Sequence, residues 1–204
     1  MSEVNNVILR ILNPSIEFPE ITLEKGNCLG IYTENVKKLS KNFFKLICEP
    51  QKFAEKVTIN NLVLDKSTWI GRTFTHIVSP ELWEDSILNI LKNKPQRRHL
   101  VFIFATVEEV NKKELYEISK LIEDYKKEGA VLVISNSSEL FEATVDTLLD
   151  EKENEIYLEN GLFYEDINTG KIYDDIEEEI KAKLFDIRIK KTKINIEENN
   201  EKFY

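Results

Sequence analysis

Cysteine and histidine are scarce in this 204-residue chain, two of each. Cys28 and Cys48 form no C-x-x-C pair, and both read as small buried hydrophobes in a reducing compartment. His76 and His99 have no ligand-spaced partner, which argues against a zinc site and leaves the expected metal and cofactor sets empty. Long apolar runs are missing too. The longest, "LVFIFA" at 100–105, falls far short of the roughly 20 residues that cross a bilayer. The opening "MSEVNNVILRIL" has neither a basic start nor a long apolar region of the secretory kind, so the expected location is the cytoplasm. Clustered positive charge is lacking as well. With 28 Lys and Arg against 37 Asp and Glu, the net charge is −9, which argues against a general nucleic-acid binder. The local basic cluster "KPQRRH" (94–99) reads as the solvated entry to a buried strand.

What is present is an ordinary 42% of apolar residues, enough for one domain with a real core, expected over 1–173. "VILRIL" (7–12) reads as a strand stopped at Asn13-Pro14, and "ITLEKGNCLGIYT" as two strands about Gly26. Helical spacing follows, with Phe43, Leu46 and Ile47 on one face and Phe44 beside them. "KVTINNLVL" (56–64) suggests a hairpin or edge strand, "THIV" (75–78) a strand, and "PELWEDSILNILK" one helix started by Pro80. "HLVFIFAT" and "AVLVIS" are apolar enough to be parallel strands covered on both faces. Between them, Leu115, Ile118, Ile122 and Tyr125 form a helical stripe that ends at Gly129 as a C-cap. "SSELFEATVDTLL" reads as a helix capped by Ser137 or Ser138, and Asn160-Gly161 as a hairpin turn. "INTGKIY" continues as a strand, and an acidic helix ("DDIEEEIKAKLFDI") with a charged tail fills 174–204. The expected class is α/β, a mainly parallel sheet flanked by helices with a small antiparallel β region.

Taken in order over about 7 to 165, these elements resemble the ATP-binding subunits of ABC transporters. "LEKGNCLGI" resembles the approach to their phosphate loop. "HLVFIFATVEEVNKKELYEISKLIEDYKKEGAVLVIS" resembles the segment from the Walker B strand through the last parallel strand. "SSELFEATVDTLLDEKENEIYLENGLF" resembles the final helix and strand pair. The phosphate-loop pattern G-x-x-x-x-G-K-[ST] falls on Thr33, "ENVK", Lys38, Leu39 and Ser40, so both glycines and the lysine are replaced. Sliding the match by one residue makes Lys38 the lysine but puts Leu39 where the hydroxyl belongs. Phe104 and Ala105 stand where the resemblance implies the magnesium-linked aspartate and the general base. Ser137 stands for the histidine after the next strand, and Ser79 or a close neighbour for the glutamine expected after "THIV". About seven residues separate "SILNIL" from "KPQRRHLVF", where the resemblance implies most of a helical subdomain and its L-S-G-G-Q motif.

These departures lead to the expectation of a non-catalytic subunit, not an enzyme. Glu108 and Glu109 read as solvated first-turn acids rather than as a replacement base. The resemblance implies as partners a homologous ATPase subunit or a second copy of the chain, and an integral membrane permease that would hold the protein at the inner face of the membrane. Permeases of such transporters sit in a groove near the glutamine loop, here "SPELWEDSILNIL", which makes Leu82, Trp83 and Ile87 the expected contacts. Trp83 can equally cap the core under a shortened loop. A stand-alone regulatory protein, a weak nucleotide binder using Lys37 or Lys38, and an unrelated α/β domain remain open alternatives.

Overall fold

Two sheets with a helix wedged between them account for most of the buried side chains. The computed structural model describes residues 6–65, 74–159 and 162–165. Among them, β1 (Val7–Pro14), β2 (Ile21–Glu24), β4 (Ala54–Ile59) and β5 (Leu62–Val63) form an antiparallel sheet in the order β2-β1-β4-β5. β4 and β5 are joined through Asn60 and Asn61, both with positive φ (49° and 64°), the backbone that a two-residue hairpin turn demands.

The second sheet holds β3 (Cys28–Tyr32), β6 (Thr75–Val78), β7 (Leu100–Ala105), β8 (Ala130–Ser135), β9 (Thr147–Leu149), β10 (Glu155–Glu159) and β11 (Leu162–Glu165). Its order is β11-β10-β9-β3-β8-β7-β6, and the five strands from β9 to β6 are parallel. All six residues of β7 and of β8 are buried. A strand's alternation explains how both faces are filled. Leu100, Phe102 and Phe104 enter one core, while Val101, Ile103 and Ala105 enter the other.

The first core lies between the two sheets and is filled by α1 (Val36–Cys48), which contributes Leu39, Phe43, Leu46 and Ile47. The ring of Phe43 sits 4.6 Å from that of Phe102 and 5.6 Å from that of Phe18, centroid to centroid. A short α2 (Pro50–Phe53) leads on to β4. The second core is closed by α4 (Ile87–Lys92), α5 (Leu115–Lys126) and α6 (Ser138–Thr144), through Leu88, Leu91, Ile118, Ile122 and Phe141. None of these helices is long and apolar enough to cross a membrane.

Several expectations change. The helix expected over "PELWEDSILNILK" is two: α3 (Pro80–Trp83) ends at Glu84, whose φ of 52° is left-handed, and α4 restarts from Ser86. Ser86 is a strong N-cap, its Oγ accepting from the Asn89 N–H at 3.2 Å, so a fresh start competes with continuation. The helix expected through Leu149 stops at Thr144 because "TLL" pairs with β3 as β9. Asp146 fixes that exit, its Oδ2 accepting from the Cys28 N–H at 2.8 Å. β1 runs through Asn13 and Pro14 rather than stopping before them. Cys28 is buried as expected, but Cys48 is exposed at the end of α1. Gly129 is no left-handed cap: its φ is not positive, and its need for glycine is steric. The Asn160-Gly161 turn, "INTGKIY", the boundary at 173 and the C-terminal helix and tail lie outside the described residues.

Lys126 is only 8% exposed at the end of α5. Burial alone would lower its pKa, but hydrogen bonds to Glu123 (2.6 Å) and Asp146 (3.0 Å) prevail and raise it. This pairing ties α5 to the start of β9.

Candidate functional site

Three residues, Thr33 to Asn35, join β3 to α1, and they satisfy one another. Thr33 is 1% exposed; its Oγ1 accepts from the Asn35 N–H at 3.0 Å and donates to the Glu151 carboxylate. The Asn35 side chain caps α1, accepting from the Lys38 N–H at 3.0 Å. A helix start that holds phosphate offers such N–H groups to the ligand. Here those of Asn35 and Lys38 already have partners inside the chain. Lys38 pairs with Glu17, and Lys37 pairs with Glu81 at 2.7 Å. Hydrogen bonds to these carboxylates, and then their charge, hold both lysine pKa values above the ordinary one. Leu39 points into the first core and is 2% exposed.

At the C-terminal end of β7, Phe104 and Ala105 are buried on opposite faces of the sheet. Just beyond them, Thr106 and Glu109 form a capping box. The Glu109 Oε2 accepts from the Thr106 N–H at 2.8 Å and from its hydroxyl at 3.2 Å. Glu109 is thus a cap within its own turn. Ser79 caps α3 through the Leu82 N–H (3.3 Å), and Ser137 caps α6 through the Leu140 N–H (3.2 Å).

Between α1, the end of β7 and α3 lies a cavity of about 320 Å³. Val36, Ser40 and Phe44, spaced four apart on one face of α1, form one wall; Phe104, Ser79 and Leu82 form the others. Ser40 is 9% exposed, and its Oγ has no hydrogen-bond partner among the described residues. Lys37, Lys41, Glu81, Thr106 and Glu109 complete the lining. Among the described residues no group of three or more His, Cys, Asp or Glu is placed to hold a metal ion.

No protein-family model matches the sequence, and no curated protein matches it. Solved structures do. CbiO1 from Clostridium perfringens, part of the ABC transporter complex cbiONQ, superposes with a TM-score of 0.54. The match spans 76% of this chain and 89% of that one at 14% identity. A bacterial Atm1-family ABC exporter with ATP bound gives a TM-score of 0.51 at 11% identity, over 74% of this chain and 38% of that one. The chain has the ATP-binding cassette fold. At these identities the likeness is one of fold.

On that cassette fold, Ser40, Phe104 and Ser79, aligned with functional positions by order, spacing and apolar pattern, line one cavity. Thr33, Lys38, Leu39, Ala105 and Ser137 do not line it. Leu82 and Trp83 stand on the surface, 58% and 57% exposed, although the Trp83 indole N–H donates to the Ile77 carbonyl at 2.9 Å. Ile87, expected beside them, is 1% exposed and belongs to the second core, because the new start at Ser86 turns it inward. Val36 and Phe44 were legible as i, i+4 and i, i+8 from each other and Ser40. Glu151, 118 residues from Thr33, carried no local signal.

Proposed function

We propose that this chain is a non-hydrolysing subunit of cassette fold that works by docking in a membrane transporter complex, against a permease or a homologous ATPase subunit. One observation carries the reading: the cavity where Ser40, Ser79 and Phe104 converge takes part of its wall from the apolar Val36, Phe44, Leu82 and Phe104. Magnesium-bound triphosphate calls for oxygen ligands on the metal and cations or N–H groups on the phosphates. The residues present do not fit that group. Phe104 and Ala105 offer no ligand, Lys37 and Lys38 are engaged by Glu81 and Glu17, Lys41 is the one lining cation with no ion pair among the described residues, and the Glu151 carboxylate lies against the loop. An ion pair near 4 Å at an effective dielectric of about 20 is worth about 4 kcal/mol, enough for its loss to ruin affinity. Loss of a general base costs a further factor of about 10²–10⁴ in rate. The docking half of the reading is supported by Leu82 and Trp83, neighbouring exposed apolar side chains of the kind that anchor interfaces.

Titration of the full chain with Mg-ATP is expected to give no binding up to millimolar concentration and phosphate release no faster than in buffer. Micromolar affinity would defeat the reading. Restoring the lysine through Leu39→Lys is no test, since Leu39 is buried and the ammonium would enter the core. For docking, copurification with a polytopic membrane protein or an intact ATPase subunit is expected to be lost in Trp83→Ala.

A further inference from the structure

We propose that the cavity between α1, β7 and α3 binds a small amphipathic organic anion, an apolar or aromatic body carrying one carboxylate or sulfonate. The proposal rests on the reading that nucleotide does not take this space, and adds what does. At about 320 Å³ the cavity equals the liquid volume of roughly ten waters and falls within the range of small-molecule sites. The apolar part of its walls is the side chains of Val36, Phe44, Leu82 and Phe104, against which water is held poorly and an apolar body well.

The polar groups fix what else the ligand carries. Lys37 and Glu81 are paired with each other, the Glu109 carboxylate accepts from the Thr106 N–H and hydroxyl, and the Ser79 Oγ accepts from the Leu82 N–H. Two groups are left over. Among the described residues, Lys41 makes no ion pair and the Ser40 Oγ, on a residue nine-tenths buried, has no partner. A buried hydroxyl without a partner is rare enough in folded proteins to call for an explanation. An ammonium donates only, and the hydroxyl donates readily, so both ask the ligand for acceptor oxygens. The Lys37–Glu81 pair ties α1 to α3 at this site.

The test is titration of the full chain with 1-anilinonaphthalene-8-sulfonate, whose fused rings and sulfonate have the required chemistry. One saturable site with enhanced fluorescence is expected. Affinity should fall about tenfold in Leu82→Asp and in Lys41→Glu. Both side chains are exposed, so neither substitution opens the core. Tyr116→Ala, on the exposed face of α5, serves as the control and should leave affinity unchanged. Absence of a saturable site, or unchanged affinity in both cavity variants, overturns the proposal. If Mg-ATP displaces the dye, the space is the nucleotide's and the proposed function falls with this one. If neither dye nor Mg-ATP binds, this proposal alone falls.

Discussion

Gly129→Ala is expected to destabilise the chain by about 3 kcal/mol or more, or to prevent folding at ordinary temperature. A Cβ at this position would lie 1.7 Å from the carbonyl oxygen of His99 and 2.6 Å from its carbonyl carbon. Both are backbone atoms, so no rotamer change relieves the overlap. That same carbonyl accepts the Ala130 N–H at 2.9 Å and starts the pairing of β7 with β8. The Gly129 carbonyl in turn accepts the Gly26 N–H at 2.8 Å. Any shift that makes room therefore pries at the start of the parallel sheet. Gly30→Ala supplies the contrast. Its Cβ would meet Leu148 Cδ1 at 2.7 Å and Phe141 Cδ1 at 2.9 Å, side-chain atoms with some freedom to move, so about 1–3 kcal/mol is expected. Urea unfolding of the two variants checks the order. A Gly129→Ala protein within 1 kcal/mol of the parent would mean that α5 and β8 are not joined as described.

Phe43→Ala should cost about 3–5 kcal/mol, the range for removing a fully buried phenylalanine. The side chain is fully buried, and its ring is within 6.3 Å, centroid to centroid, of those of Phe18, Phe44, Phe102 and Phe104. Phe102 and Phe104 come from the parallel sheet and Phe18 from the link between β1 and β2, so one ring joins α1 to both layers. Little chance exists for the site to collapse, because β7 is held by neighbours on both edges. Thermal or urea unfolding measures the loss. A loss below about 1 kcal/mol would show that α1 is not wedged between the sheets.

The parts of the fold that could be read from the chain are those where one face or run dominates. "LVFIFA" and "AVLVIS" are apolar at every position, and only burial on both sheet faces suits them. The amphipathic spacing of Phe43, Leu46 and Ile47 likewise admits one orientation for α1. Where two local choices are close in energy, tertiary contacts decide. "PELWEDSILNILK" has helical spacing throughout, yet Ser86 and Asp85 supply enough local hydrogen bonds to restart it, and the phase of Ile87 changes with the restart. "TLL" is torn from a helix by the open edge of β3. At the candidate site, Phe104 stands near the end of β7, Ser79 caps α3 and Ser40 sits in the second turn of α1, and all three line one cavity. What sequence spacing leaves unread is long-range: the Glu151 carboxylate at Thr33, the Lys37–Glu81 pair and the void itself depend on how separate segments meet.

The placement of the two sulfur atoms has a consequence for how the molecule responds to reagents. Cys48 meets solvent at the end of α1, whereas Cys28 begins β3 with no exposure at all. Desolvation and then the negative charge of Asp146 push the Cys28 thiol far above its ordinary pKa, which starves it of the reactive anion while the native state lasts. Alkylation thus proceeds on two clocks, one set by the reagent's own chemistry at an exposed thiol and the other by the parting of β3 from its neighbours β8 and β9.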